Sequence, residues 1–302
     1  MGIRTFLLAW LLASSSAYAK LNVVCTITDF GAIAQAVGGD KIKVTSIARG
    51  TEDSHFVDAR PSFVRVLNQA DVLIETGAEL EVGWLPPLVN GARNSKILAD
   101  APGHVVLAKH IKLMEVPTGP IDRSMGDVHP FGNPHFWLSP ENGQIVARVL
   151  AERFSKLDPA HAGDFGANAQ QFCDMLTKKA AVWTKTMAPF RGTKVISYHK
   201  SFDYFFQRFG LELAGTIESR PGIEPSPAYV NGLIQRLQGT GVKLIIIEPY
   251  RPHRIPEQVA GALGAKLLVL PEKVDGHPAV KDYPQLFDYD VTEIAAILKN
   301  NP

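Results

Sequence analysis

The sequence predicts an α/β protein of two lobes, each built on a mostly parallel sheet, joined by one long connecting α-helix. Three observations carry that prediction. Short apolar runs alternate with helical patterns through the first half of the chain, as in parallel strands covered by helices. From Asp158 to about Met187 the strands stop. Apolar or small residues there recur at Phe165, Ala169, Phe172, Leu176, Ala180 and Trp183, close to helical spacing. At Lys194 the strand–helix alternation starts again. A chain of 302 residues is long enough for two such lobes.

The elements follow in order. Gly2 to Thr5 carries Arg4, Phe6 to Ala13 is apolar, and small residues end at Ala17-Tyr18-Ala19. That is the order of a secretory signal peptide, with cleavage expected after Ala19. The apolar run is too short to span a bilayer, and no later run reaches about 18 apolar residues. No cysteine stands at the cleavage point, so a soluble periplasmic protein without a lipid anchor is expected. Leu21–Ile27 is the first strand and Phe30–Val37 the first helix. Lys41–Ala48 is the second strand, and it runs into a polar loop, Arg49 to His55. Pro61–Ala70 is helical, Asp71–Thr76 is a third strand, and Val82–Asn90 begins a helix around Trp84. Lys96–Leu98 reads as a short fourth strand, and Ala101–Gly132, rich in Gly, Pro and His, reads mostly as loop.

The turn Gly132-Asn133-Pro134 then delivers His135. Ser139 reads as an N-cap, with Pro140 in the first helical position and Glu141 in the first turn of a helix to about Lys156. Asp158-Pro159 opens the connecting helix, whose ~28 residues span about 42 Å. In the second lobe, strands are expected at Lys194–Tyr198, Leu213–Ile217, Lys243–Ile247 and Lys266–Leu270. Helices are expected at Ser201–Phe209, Tyr229–Gly239 and Pro256–Leu263. A loop, Pro271–Pro284, leads to a closing helix near Val291–Leu298. The expected boundaries are 1–19 for the signal peptide, 20–157 for the first lobe, 158–189 for the linker helix and 190–302 for the second lobe.

A net charge of +1 argues against nucleic acid or an anionic membrane surface as partner. The two cysteines, Cys25 and Cys173, fall in an expected strand and an expected helix. Export permits a disulfide between them, and two buried thiols are the alternative.

The histidines carry the chemistry. His55 follows a strand by a short loop, His199 follows the strand Lys194–Tyr198 at once, and His135 precedes a helix. Ligands of open α/β sheets bind outside the carboxyl ends of strands. Two lobes facing each other at such ends enclose a cleft in which these three imidazoles can converge on a divalent metal. His129, six residues before His135, can line the same cleft. His104, His110, His161, His253 and His277 have no comparable placement.

Three stretches resemble the zinc/manganese-type solute-binding proteins of bacterial ABC transporters. They are EDSHFVDARPS around His55, GNPHFWLSPENG around His135 and VISYHKSFDYFFQRFGLEL around His199. RPGIEPSP and FDYDVTEIAAIL resemble segments of that family too, and the likeness runs from about Asn22 to Leu298. The resemblance implies a monomeric periplasmic receptor that binds one divalent metal through His55, His135 and His199 and hands it to a membrane permease. Zinc is the metal implied first, with manganese or iron(II) as the others. A carboxylate after the last strand often completes the family's shell. Here that loop reads LPEKVDGHP, which departs from the family pattern. Glu272 is the nearest match and Asp275 the second. A water or a first-lobe carboxylate (Glu52, Asp53, Glu75 or Glu79) can fill the place instead. The family's zinc members often carry a His-rich loop before the second ligand. With only His104, His110 and His129 there, a metal-gathering loop is weak or absent.

Two rival readings come from other classes. A secreted zinc hydrolase would use three histidines and an open position. The chain has no H-E-x-x-H, and Glu218 and Glu248 are its available bases. A receptor for an organic ligand would line its pocket with Trp84, Trp137 and Tyr198.

Overall fold

The computed structural model describes residues 20–119, 126 and 129–300. The expected signal peptide lies outside the described residues. Each lobe carries four parallel strands. β1 (Leu21–Cys25), β2 (Ile42–Ser46), β3 (Val72–Glu75) and β4 (His104–Val106) stand in the order β2-β1-β3-β4. β5 (Lys194–Ser197), β6 (Glu212–Thr216), β7 (Leu244–Ile247) and β8 (Lys266–Val269) stand in the order β6-β5-β7-β8. Parallel neighbours need crossovers. α1 (Thr28–Gly38), α2 (Pro61–Asn68) and α3 (Leu85–Ala92) lie between the strands of the first lobe. α6 (Asp203–Phe209), α7 (Pro227–Leu237) and α8 (Arg254–Leu263) do the same in the second.

Between the lobes run α4 (Pro140–Leu157) and the connecting helix α5 (Ala162–Met187), and the chain closes with α9 (Tyr283–Lys299). The 26 residues of α5 span about 39 Å. Its buried stripe, from Phe165 through Trp183 to Met187, packs on α1, α4 and α9. One apolar core therefore extends from β1 and α1 through α4 and α5 to α6 and α9. In the second sheet the side chains alternate as strand geometry demands. Leu244 and Ile246 face this core, while Ile245 and Ile247 face a smaller cluster with Val230 and Val259.

Four expectations are corrected. Lys96–Leu98 is not a strand: Ser95–Ile97 forms a 3-10 turn, which Asn94 starts by accepting from the Lys96 N–H. The fourth strand is His104–Val106, inside the stretch expected to be loop, where it pairs with Leu73–Glu75. Three residues are too few to show a period. The closing helix begins at Tyr283, not near Val291. Asp282 caps it by accepting from the Gln285 N–H, and Pro284 sits in its first turn, where proline is tolerated. Ser139 does precede α4, but its hydroxyl donates to Glu141 instead of capping the helix. Cys25 and Cys173 are buried and free, so no disulfide joins strand and helix.

The segment after β8 latches the lobes together. Lys273 is fully buried, and its ammonium donates to the Glu52 carbonyl, the Ser54 hydroxyl and Glu272. The Trp137 indole N–H donates to the Glu272 carbonyl at 2.7 Å, and the Thr28 hydroxyl to the Val274 carbonyl at 2.6 Å. Gly50 lies so close to this segment that a Cβ would stand 2.2 Å from the Val274 oxygen. Only glycine fits there. The latch thereby fixes the loop Gly50–Ser54, immediately ahead of His55.

Candidate metal centre

His55 comes from the loop after β2, His135 from the turn before α4, and His199 from the residues after β5. The fold brings all three together. One ring nitrogen of each lies within 4.8 Å of those of the other two. The ring centroids are 5.3 Å apart for His55 and His135, and 5.2 Å apart for His199 and each of the others.

Each ring is aimed through its Nδ1. His55 donates to Asp53 Oδ1 at 2.7 Å, His199 to Glu218 Oε2 at 2.8 Å and His135 to Asn133 Oδ1 at 3.0 Å. A carboxylate oxygen can only accept, so the proton belongs on Nδ1 and the Nε2 lone pair is left for a metal. The amide of Asn133 is turned the same way, because its NH2 donates to Glu115 and to the Lys200 carbonyl. Asp53 and Asn133 each also accept the backbone N–H of the histidine two residues on. This Asx turn fixes backbone and ring with one oxygen.

Arg251 joins the two halves. Its guanidinium lies 3.2 Å from Glu218, 3.5 Å from Glu248 and 3.5 Å from Asp53 of the other lobe. It also stacks over the Tyr198 ring at 5.0 Å. Burial pushes the Asp53 carboxyl up, but His55 and Arg251 outweigh it and hold it well below the usual range. Burial drives His135 well below the ordinary imidazole value, with His199 and His55 adding to the effect. At His199 burial acts downward too, but the Glu218 hydrogen bond and charge overcome it, and the net shift is upward.

A fourth imidazole stands beside His55, with its ring centroid 6.4 Å from that of His135. His129 Nε2 is 3.1 Å from His55 Nε2, and the two ring centroids are 5.2 Å apart. Burial, then the neighbouring His55 and His199, bring its pKa down to about 3. His129, His135 and His199 line one cavity of about 450 Å³, with Asn133, Arg220 and Pro221 among its other walls.

None of the carboxylates considered for the fourth place belongs to the three-histidine group, and His129 stands outside it as well. Glu272 is buried but falls outside the three-histidine group. Its Oε1 accepts from Lys273 and from the Tyr250 hydroxyl at 2.9 Å, and its Oε2 has no partner. Asp275 is exposed and pairs with Lys281. Glu52 faces Arg49 and Arg60, Glu75 faces His104, and Glu79 is exposed. Asp53 orients His55. Among the remaining histidines, His161 bonds Asp158, His277 stacks on Tyr289, and His110 and His253 are exposed. The aromatics are packed supports. Trp84 donates its N–H to the Ser54 carbonyl beside His55, and the Trp137 ring lies 5.2 Å from His135.

Sequence reasoning missed Arg251, Lys273 and the role of Asn133. One signal was present. Asp53-Ser54-His55 and Asn133-Pro134-His135 share an Asx side chain two residues before the histidine.

Two parallel α/β lobes on a long helix, with imidazoles meeting in the cleft between them, define a two-lobed substrate-binding receptor. The family model described as zinc-uptake complex component A, periplasmic, matches residues 23–297, and the chain belongs to that family. Its members are periplasmic metal-binding receptors that work with an ABC permease. The chain is 26% identical to the high-affinity zinc uptake system protein ZnuA of Brucella abortus (strain 2308), over 97% of this chain and 95% of the relative. It is 27% identical to the manganese ABC transporter substrate-binding lipoprotein PsaA of Streptococcus pneumoniae, over 78% of this chain and 74% of the relative. A crystal structure of ZnuA superposes with a TM-score of 0.74 at 21% identity, covering 92% of this chain and 98% of that one. A manganese-bound periplasmic metal-binding protein from Candidatus Liberibacter asiaticus gives 0.72 at 20% identity, covering 92% and 99%. The two solved structures share the fold.

Proposed function

We propose that this protein captures a divalent transition metal, zinc first, through His55, His135 and His199, and delivers it to the permease of a metal ABC transporter. The observation that carries this is the tautomer arrangement: three Nδ1 atoms are engaged by acceptors, and three Nε2 lone pairs are left in one cleft. Neutral imidazole suits zinc and other borderline metals. Manganese, named for the streptococcal relative, and iron(II) are the alternative cargoes. An imidazole must be deprotonated to bind, so affinity falls as the pH drops through the range of His199, the ligand whose value is raised above that of a free imidazole.

The reading includes a monomer exported with cleavage after Ala19, without nucleic acid as partner. Its parts are 20–157 and 190–302 as lobes and 158–189 as linker. It is a receptor and not a hydrolase. Glu218 is taken by His199 and Arg251, and Glu248 is fully buried with one oxygen on the Ser201 hydroxyl and the other 3.5 Å from Arg251, which argues against either as a general base.

The test is elemental analysis and zinc titration of the wild type and of His55→Ala, His135→Ala and His199→Ala. Each variant should lose more than the roughly 100-fold that a missing outer-shell partner can cost. If all three hold zinc as tightly as the wild type, the reading fails.

A further inference from the structure

We propose that His129 is the fourth ligand of the cargo metal, which is then held by four imidazoles; this rests on the receptor reading above. The Nε2 atoms of His129 and His55 stand 3.1 Å apart. Two imidazole nitrogens at that distance ordinarily share a hydrogen, and here neither neutral ring has one to offer. His55 Nδ1 faces the Asp53 carboxylate, and His129 Nδ1 faces the Ala78 carbonyl at 3.1 Å. Both partners only accept, so each ring carries its hydrogen on Nδ1 and the two Nε2 lone pairs confront each other. Such an arrangement calls for a cation between them. Nitrogens bound to a tetrahedral zinc at 2.0–2.1 Å stand about 3.3–3.4 Å apart, close to the separation seen.

The carbonyl that aims His129 is itself built into place. Gly77, Ala78 and Glu79 take φ values of 80°, 53° and 65°, a left-handed run that Ala and Glu do not favour. Buried Glu81 holds the turn by accepting from the Thr76 N–H, the Gly77 N–H and the Thr26 hydroxyl. Each competing carboxylate has partners, although Glu272 keeps one oxygen, Oε2, without any. Asp53 and Glu218 orient ligand rings, and the Lys273 ammonium bonds Glu272. Four neutral imidazoles select zinc over manganese, which prefers oxygen.

The test uses the protein loaded with zinc or with cobalt(II). X-ray absorption of the zinc form is expected to fit four imidazoles. His129→Ala should weaken zinc binding at least about tenfold, the lower end of an outer-shell loss, and change the cobalt(II) d–d spectrum. Glu272→Gln should leave that spectrum as it is. The apoprotein melting temperature of His129→Ala should match the wild type, which assigns the loss to the site. Three imidazoles in the wild type, with unchanged affinity and spectrum in His129→Ala, overturn the proposal. A spectrum that responds to Glu272→Gln and not to His129→Ala overturns it too. His199→Ala, run in parallel, separates the two readings. If it loses binding while His129→Ala does not, only the fourth ligand falls. If both bind as tightly as the wild type, the receptor reading falls with it.

Discussion

The two lobes share one strand connectivity and serve the site unequally. β2-β1-β3-β4 is repeated as β6-β5-β7-β8. Yet the first lobe presents His55, His129 and His135, while the second presents His199 and most of the charge, in Glu218, Glu248 and Arg251. Their packing differs as well. The consecutive residues Val23–Cys25 of β1 and Val72–Ile74 of β3 enter the large core, so the first sheet is enclosed by it on both faces. The second sheet gives that core one face and closes the other with its own small cluster. The interlobe seam is accordingly apolar along α5 and α9 and charged around Arg251. If the proposed site is right, stability and metal affinity should rest on different residues.

That separation can be broken from either side. The largest effect belongs to the apolar seam. Phe287 is fully buried, stacks on Trp183 with centroids 5.0 Å apart, and meets Tyr283 and Phe205. Phe287→Ala should cost about 3–5 kcal/mol in urea unfolding, with zinc affinity unchanged by calorimetric titration of the folded protein. A parallel fall in affinity would join the two regions into one. Next comes the charged side. Glu218→Gln removes the anionic acceptor of His199 and a partner of Arg251. Zinc affinity should fall about 10–100-fold, or about 1.4–2.7 kcal/mol, while apoprotein melting barely moves. Undiminished affinity would show that the carboxylate does not orient the ring.

The smallest effect is a pH dependence at the seam. Asp29 in α1 and Asp290 in α9 are fully buried. Burial raises the Asp29 carboxyl to about 8 although Lys273 pulls it down, and raises Asp290 well above its ordinary value, with Asp29 adding to the rise. The folded chain keeps protons that the unfolded chain releases near pH 4. This contribution to stability is complete below about pH 4 and is lost as the pH climbs through the raised folded values. Asp290→Asn should therefore melt above the wild type at pH 8.5 by roughly 2–4 °C, the response to about 1 kcal/mol in a chain of this size. At pH 4 the two should coincide. Equal melting at both pH values would place the dependence elsewhere.

Most of the scaffold was legible because strands such as Lys243–Ile247 and the stripe on the connecting helix have the right periods. β4 was not, because three residues show no alternation. The start of α9 was not, because Pro284 reads as a breaker until Asp282 is seen as its cap. At the site, strand ends and loops pointed to His55, His135 and His199. His129 and Arg251 could not be read the same way. Their positions depend on how loops from distant parts of the chain pack, as with the Ala78 carbonyl 51 residues before His129. The surroundings of Glu272 could not be read from the local match either. Its neighbour Lys273 forms a buried ion pair with it, a contact that no motif announces.

The core that runs from β1 through α5 to α9 has no plane along which the lobes can part and still bury what they bury now. Heat should then unfold both lobes in one cooperative transition, with a single absorption peak in scanning calorimetry. A metal bound at the front is linked to all of that structure. At free metal 1,000-fold above Kd it adds about 4 kcal/mol. That increment should raise the whole peak, the second lobe's outer cluster included, and leave no metal-insensitive fraction behind.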